Sequence, residues 1–311
     1  APSGALHNGL LTPFPATASL YRDWRSEQVQ PHVSSHNPRL PSGRSEPKTT
    51  PTRSSSRMNV DPTETIATAS GGVFVSDLHL FSPRSDAAYV PDKLAETKTA
   101  DRCIVLGGDI FDFRWSVRGS HELTLAAAVH WLEELLERTE QAHIRFIPGN
   151  HDCHPEFLHL LTQLAQREPR FDWYEHHFQL GDTLFLHGDI LDARGNLNSY
   201  RAKFHHEHPQ TGFNHKLYDG VVALRLHKLV PLVRHRPELT CRRLLSLIGT
   251  LPAASEIPAG RIFFGHTHAP VLGHESQGIR FYNPGAALKH MLSRPQYFEF
   301  DQPIALEKRR T

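Results

Sequence analysis

Five short apolar runs each end on a cluster of turn-prone polar residues, and this repeated junction restricts the chain more than any other feature. Val73-Phe74-Val75 leads into Ser76-Asp77-Leu78-His79. Ile104-Val105-Leu106 leads into Gly107-Gly108-Asp109, and Ile144 to Ile147 into Pro148-Gly149-Asn150-His151-Asp152. Leu184-Phe185-Leu186 leads into His187-Gly188-Asp189, and Ile262-Phe263-Phe264 into Gly265-His266-Thr267-His268. Runs this short, rich in β-branched and aromatic residues, read as buried strands. Between the second and third, residues Glu122 to Thr139 carry Leu123, Ala127, Leu132, Leu135 and Leu136 at three- and four-residue steps, the spacing of an amphipathic helix. A second helix is expected over Pro155 to Gln166. Strands alternating with helices predict an α/β sheet, with polar residues gathered at the carboxyl ends of the strands, where such sheets bind ligands.

The flanking segments read differently. Residues 1–70 are rich in Pro, Ser and Thr and hold no helical or strand period, so they cannot bury enough apolar area to offset chain entropy and are expected to be disordered. They lack the continuous apolar stretch of a secretory signal. The only methionines are Met58 and Met291, which makes Met58 a candidate natural start. Residues 190–260 break the strand rhythm and look helical over Tyr218 to Leu232 and Glu238 to Leu251. In this insert basic residues outnumber acidic ones, and it reads as a cap over the mouth of a site. A domain over residues 71–303 and a basic tail over 304–311 complete the expected division.

Composition narrows the class. The 311 residues balance 34 Lys and Arg against 33 Asp and Glu, a net charge of +1, which argues against nucleic-acid binding driven by bulk charge. No apolar run approaches the roughly 18 residues a membrane helix needs. Three cysteines are too few, and odd in number, for a disulfide framework, so a reducing cytoplasmic setting is expected. The outlier is histidine, with 23 residues.

The strand ends deliver Asp77, His79, Asp109, Asn150, His187, His266 and His268. Taken singly, such a histidine is ordinarily a hydrogen-bonded loop residue, and an Asp after Gly is ordinarily a turn residue. Five successive strand ends that each supply Asp, Asn or His point instead to a shared centre. Carboxylate, amide oxygen and imidazole together suit Mn²⁺, Fe²⁺ or Zn²⁺, not a cysteine-bound structural zinc or an all-oxygen calcium cage. Seven donors exceed the needs of one metal with an open position. A carboxylate such as Asp109 can bridge two ions about 3.5–4 Å apart, the arrangement used for in-line displacement at phosphorus.

The succession resembles the signature of the calcineurin-like metallophosphoesterase superfamily. Asp77-Leu78-His79, Gly108-Asp109-Ile110-Phe111-Asp112, Gly149-Asn150-His151-Asp152, His187-Gly188 and Gly265-His266-Thr267-His268 occur in the superfamily's order, over about residues 72–300. The resemblance implies an α/β (α+β) fold, a four-layer αββα sandwich with a helical cap insert. It implies one metal on Asp77, His79, Asp109 and His268, and a second on Asp109, Asn150, His187 and His266. It further implies hydrolysis of a phosphomonoester, phosphodiester or pyrophosphate by metal-activated hydroxide, Mn²⁺ being the expected ion. His151 is then the expected proton donor and Asp152 the residue that orients it, while Asp112 is expected to hold ligands or loops.

Phe74 to Leu80, Leu106 to Phe113 with Trp115, and the helical insert are similar to the UDP-2,3-diacylglucosamine pyrophosphohydrolases. The chain departs from that subgroup at His151, where those hydrolases carry Arg. Leu224, Leu229, Leu244 and Ile248 beside Arg225, Lys228, Arg242 and Arg243 would suit an anionic amphiphile and peripheral contact with a membrane surface; an ordinary solvated cap is the plainer reading. A nuclease or cyclic-nucleotide phosphodiesterase of the same superfamily is the alternative, although no ladder of aromatics for base stacking is evident. A non-catalytic scaffold would be expected to have lost donors, and here every motif position is filled.

Overall fold

A computed structural model of the chain describes residues 67–97, 101–193, 195–205, 236–251 and 260–307. The expected helix over Tyr218 to Leu232, the proposed start at Met58, and nearly all of the extension before residue 70 lie outside these residues.

Ten strands form two five-stranded sheets. In the first, β1 (Thr68–Val75), β2 (Arg102–Leu106), β3 (His143–Phe146) and β4 (Phe171–Trp173) run parallel, and β10 (Gln296–Ala305) joins the free edge of β1 antiparallel. In the second, β6 (Thr183–Leu186), β7 (Arg261–Phe263) and β9 (Ile279–Asn283) are parallel, with β5 (His177–Leu180) and β8 (Val271–Ser276) as antiparallel edges. Every predicted strand run falls in one of the parallel strands, so the motifs leave the sheets at carboxyl ends.

The period of two along each strand divides the core. Phe185 and Phe263 point between the sheets, where they pack with Phe74, Val105, Phe178 and Phe298. Their neighbours Leu184, Leu186, Ile262 and Phe264 point to the other face, onto a helix at Pro237–Ile248. That helix buries Cys241, Leu244, Leu245 and Ile248 there. On the outer face of the first sheet lie α1 (Val90–Ala95), α2 (His121–Arg138) and α3 (Pro155–Arg167). A short helix α4 (Leu197–Arg201) precedes the one at Pro237–Ile248, which is α5. Helix, sheet, sheet, helix is the four-layer sandwich.

Local sequence explains the helix ends. Ser120 caps α2 by accepting the Leu123 N–H at 3.2 Å. Pro155 opens α3, where its missing N–H leaves no intrahelical bond unmade. The buried stripe of α2 runs through Leu125, Ala128, Val129, Leu132, Leu135 and Leu136. Leu123 and Ala127, expected in that stripe, fall off the buried face: Leu123 is exposed and Ala127 only half-buried, because the face runs through Leu125, Ala128 and Leu132. In α3, Phe157, Leu160, Leu161 and Leu164 face the sheet, each contributing about 1.5–3 kcal/mol by burial. β1 begins at Thr68, and β10 runs to Ala305 with Leu306 buried beyond it, so strand structure continues past the boundary read at residue 303. The three cysteines are free and buried. Among the described residues, no helix is long and apolar enough to cross a membrane.

One buried ion pair ties the loops of the two sheets together. Arg201 donates to both oxygens of Asp189, at 2.7 and 3.2 Å, and also to the carbonyls of Glu175 and Pro148. Burial alone would raise the Asp189 pKa, but the Arg201 charge holds it below the ordinary carboxylate value. Arg201→Met would leave that carboxylate buried without its partner and two carbonyls without donors. Equilibrium denaturation should show a loss of about 3–5 kcal/mol; a change under about 1 kcal/mol would mean that the pair is dispensable.

Candidate metal centre

The residues predicted as donors come together at the facing carboxyl ends of the two sheets. Ligating atoms of Asp77, His79, Asp109 and His268 lie within 4.8 Å of one another, as do those of Asp109, His187 and His266. Asp109 belongs to both groups. Its Oδ2 stands 4.0 Å from His79 Nε2 and 3.4 Å from His187 Nε2. Its Oδ1 accepts the His151 backbone N–H at 2.8 Å.

The backbone brings these side chains in at unusual angles. Asp77, His79, Asp109, His266 and His268 all have φ between 47° and 66°, in the left-handed region that non-glycine residues seldom occupy. Each such residue costs of order 1–3 kcal/mol and persists only where its surroundings over-determine it. Here the strand-to-loop bonds do so: Asp77 N–H donates to Gly108 O at 3.0 Å, His79 N–H to Asp109 O at 2.9 Å, and Ala287 N–H to Asp77 O at 2.9 Å. The motif glycines serve close approach. A Cβ on Gly108, itself at φ +88°, would lie 2.5 Å from His187 Nδ1, and one on Gly149 would run into the Asp109 carboxylate.

Contacts from the second nitrogen fix the orientation of three of the rings. His187 Nδ1 donates to Gly107 O at 2.9 Å, which leaves Nε2 as the nitrogen facing Asp109. His79 Nδ1 lies 3.4 Å from Asp112 Oδ2, which turns its Nε2 inward. His266 Nε2 contacts Asp192 Oδ2 at 3.1 Å, which leaves Nδ1 for the centre. His79 Nε2 and His268 Nε2 face each other at 3.2 Å, with His268 Nε2 also 3.3 Å from Asp77 Oδ1. Tetrahedral metal bonds of about 2.0–2.2 Å place donor atoms roughly 3.3–3.5 Å apart, so this spacing is that of ligands around one cation.

Two buried polar atoms strengthen the fit. Asn150 Oδ1 and His187 Nε2 have no hydrogen-bond partner among the described residues, although both side chains are buried. A bound divalent cation satisfies such atoms where neutral packing does not. The electrostatics agree. Burial alone would raise the pKa values of Asp77 and Asp109, yet the surrounding histidines hold both below the ordinary carboxylate value. Conversely, burial would lower His187, but the charge of the nearby Asp109 lifts it to about 10. The site holds anionic oxygen and imidazole so close together that it requires protons or metal ions between them.

One expected role is reassigned. Asp152 does not touch the His151 ring. Its carboxylate accepts the N–H groups of Gly149, Ile110 and Phe111 at 2.7, 2.7 and 3.2 Å, stitching the second and third motifs together. Burial and the Asp109 charge push its pKa up to about 7 against the pull of these donors. Asp112 is the carboxylate beside the ring, with Oδ1 at 3.1 Å from His151 Nδ1. The reason is geometric: Asp152 ends the turn that starts at Asn150 and points back to the strand-end N–H groups, whereas Asp112 projects from the neighbouring motif. Burial would lower the His151 pKa, but Asp112 and Asp109 raise it to about 9. Asp192, which orients His266, has no motif to mark it in the sequence. An acid in an insert of mixed charge carries no signal, and only its place three residues after Asp189, in the turn following His187-Gly188, hints at it.

Comparison with known proteins completes the picture. No curated protein matches the chain at a significant level. The family model for calcineurin-like phosphoesterases matches residues 73–270, a span that contains every donor named above. The chain therefore belongs to the calcineurin-like phosphoesterase family.

Proposed function

We propose that this chain is a dinuclear metal-dependent hydrolase of phosphoester or phosphoanhydride bonds. The observation that carries this reading is the single oxygen Asp109 Oδ2 lying between two oriented imidazoles, His79 at 4.0 Å and His187 at 3.4 Å. Asp77, His79, Asp109 and His268 would hold one ion; Asp109, Asn150, His187 and His266 would hold the other. When bound, two divalent ions (Mn²⁺ as our assignment, Fe²⁺ or Zn²⁺ as the alternatives) supply Lewis acidity that lowers the pKa of water and neutralises phosphoryl oxygens.

The chain's own residues account for the remaining chemistry. His151 is assigned as proton donor to the leaving oxygen. Its Nδ1 is taken up by Asp112, which leaves Nε2 as the atom that gives and regains the proton. Phe204 packs against this ring, with centroids 5.4 Å apart, and limits its rotation. Asp112 is a positioning residue that acts on His79 and His151 together. Asp152 is a loop anchor.

Within the family we assign an anionic amphiphile, with a nucleotide–lipid pyrophosphate of the UDP-2,3-diacylglucosamine type as the substrate to test first. Three arginines on aromatic faces support an anionic ligand. Arg84 and Arg114 lie 4.8 and 5.8 Å from the Trp115 ring, and Arg118 lies 4.8 Å from Phe81, in the loops after β1 and β2. A cytoplasmic enzyme touching the membrane surface through its insert accords with such a substrate.

Asp109→Ala should lose both ions of the centre and fall to background turnover. Elemental analysis that still found them, with turnover preserved, would refute the shared ligand. His151→Ala should keep the ions but slow hydrolysis about 10²-fold on alkyl esters, and less on nitrophenyl esters, whose leaving group needs little protonation. Asp112→Asn should show the same split between leaving groups, while Asp152→Asn should not. Equal losses on both ester types would count against the proton-donor role. In an Mn²⁺-supplemented panel, UDP-diacylglucosamine should be hydrolysed faster than simple diesters, monoesters, cyclic nucleotides and oligonucleotides. If only the small esters turn over, the lipid assignment fails; if oligonucleotides are best, the enzyme is a nuclease.

A further inference from the structure

A second convergence of donors lies outside the phosphoesterase motifs. His121 is the first residue of α2, His154 is the N-cap of α3, and Glu156 lies in the first turn of α3. Ligating atoms of these three are within 4.8 Å of one another. His121 Nε2 is 3.5 Å from Glu156 Oε2, and the His121 and His154 rings are 4.3 Å apart at 62°. His205, which ends the turn after α4, brings a third imidazole, its ring 5.6 Å from that of His154.

The chemistry favours a cation here. Two imidazoles and a carboxylate are the donor set of three-ligand zinc sites, with a fourth position left to water or a further histidine. The His121–Glu156 pair is already at the roughly 3.3–3.5 Å separation of ligands on one tetrahedral ion, and the ligating atoms of the other pairs lie within 4.8 Å. The bond that coordination through His154 Nδ1 would displace, from the Glu156 N–H, is long at 3.4 Å. Two helix N-termini meet at this spot and on their own would attract an anion. Glu156 reverses that preference: its carboxylate repels an anion and supplies the negative charge a dication needs. His121 is only 6% exposed, so an ion here would be largely shielded from water.

We propose that His121, His154 and Glu156 form a third divalent-metal site, suited to zinc, separate from the dinuclear centre and structural in role. It would fasten the start of α2 to the start of α3. His205 would bring the residues after α4 to the same point.

The test counts metal per chain. Untagged full-length protein is dialysed against zinc and analysed by mass spectrometry for all divalent metals, beside His121→Gln, His154→Gln, Glu156→Gln and Asp109→Ala. The wild type should hold three ions and each of the first three variants two, with phosphoesterase turnover within about twofold of wild type. Asp109→Ala should keep one, which reports this site apart from the dinuclear centre. Zinc should raise the thermal midpoint of Asp109→Ala, and should not do so once His154→Gln is added. Two ions in the wild type, three in every His121, His154 and Glu156 variant, or none in Asp109→Ala would each overturn the proposal. Should one glutamine variant fail to fold, the count in the other two decides.

Discussion

The Asp109 carboxylate holds the two halves of the sandwich to one chemical purpose. It enters from β2 of the first sheet and meets His79 from the same sheet and His187 from the second. All three residues are buried, with at most 3% exposure. An ionised carboxylate in such a place is tolerated only if positive charge or hydrogen-bond donors surround it. The His151 backbone N–H and the two imidazoles supply these, and they come from loops after β1, β3 and β6. The register between sheets is therefore set twice: by the aromatic layer of Phe74, Phe185, Phe263 and Phe298, and by the charge at the strand ends.

That arrangement explains where the backbone strain sits. Five of the seven expected donors have left-handed φ, and all five lie within a few residues of a strand end. A strand delivers successive side chains to opposite faces, whereas a site at the end of a sheet needs side chains pointing along the strand axis. A left-handed residue turns the chain sharply enough to aim its side chain that way. Asn150 and His187, the two donors without positive φ, each sit beside a glycine: Gly149, which takes up a close approach, before one, and Gly188, which takes a φ of +102°, after the other.

Much of this was legible in the sequence, for a physical reason. Parallel buried strands must be short continuous apolar runs, and the polar clusters that end them must occupy one edge of the sheet. Val73 to Val75 or Ile262 to Phe264 could hardly be read otherwise. What stayed hidden depends on contacts far apart in the chain. The pairing of β10 with β1 across more than two hundred positions leaves no local trace, so strand structure past residue 303 was not foreseen. The roles of Asp112 and Asp152 turned on side-chain direction, which spacing alone does not give: both carboxylates lie near His151, and only the fold shows that one faces the ring and the other faces backbone N–H groups. Asp192 and Arg201, the partner of Asp189, belong to the insert, where apolar periodicity marks helices but does not mark which charges turn inward.

Asp112 connects the two kinds of chemistry the centre would perform. One oxygen lies 3.1 Å from His151 Nδ1, and the other 3.4 Å from His79 Nδ1. The two rings stand edge to face with centroids 4.9 Å apart. One carboxylate thus fixes the tautomer of a proposed metal ligand and of the proposed proton donor. A shift of its charge toward one ring weakens its hold on the other, so the two imidazoles are coupled through a shared acceptor, not merely adjacent. Burial would raise the Asp112 pKa, but the two histidines keep it ionised, and an ionised acceptor can take an N–H from both rings at once. A neutral amide in its place would present one oxygen and one donor group. It could satisfy His151 or His79, but not both, so the coupling between the two imidazoles would be lost.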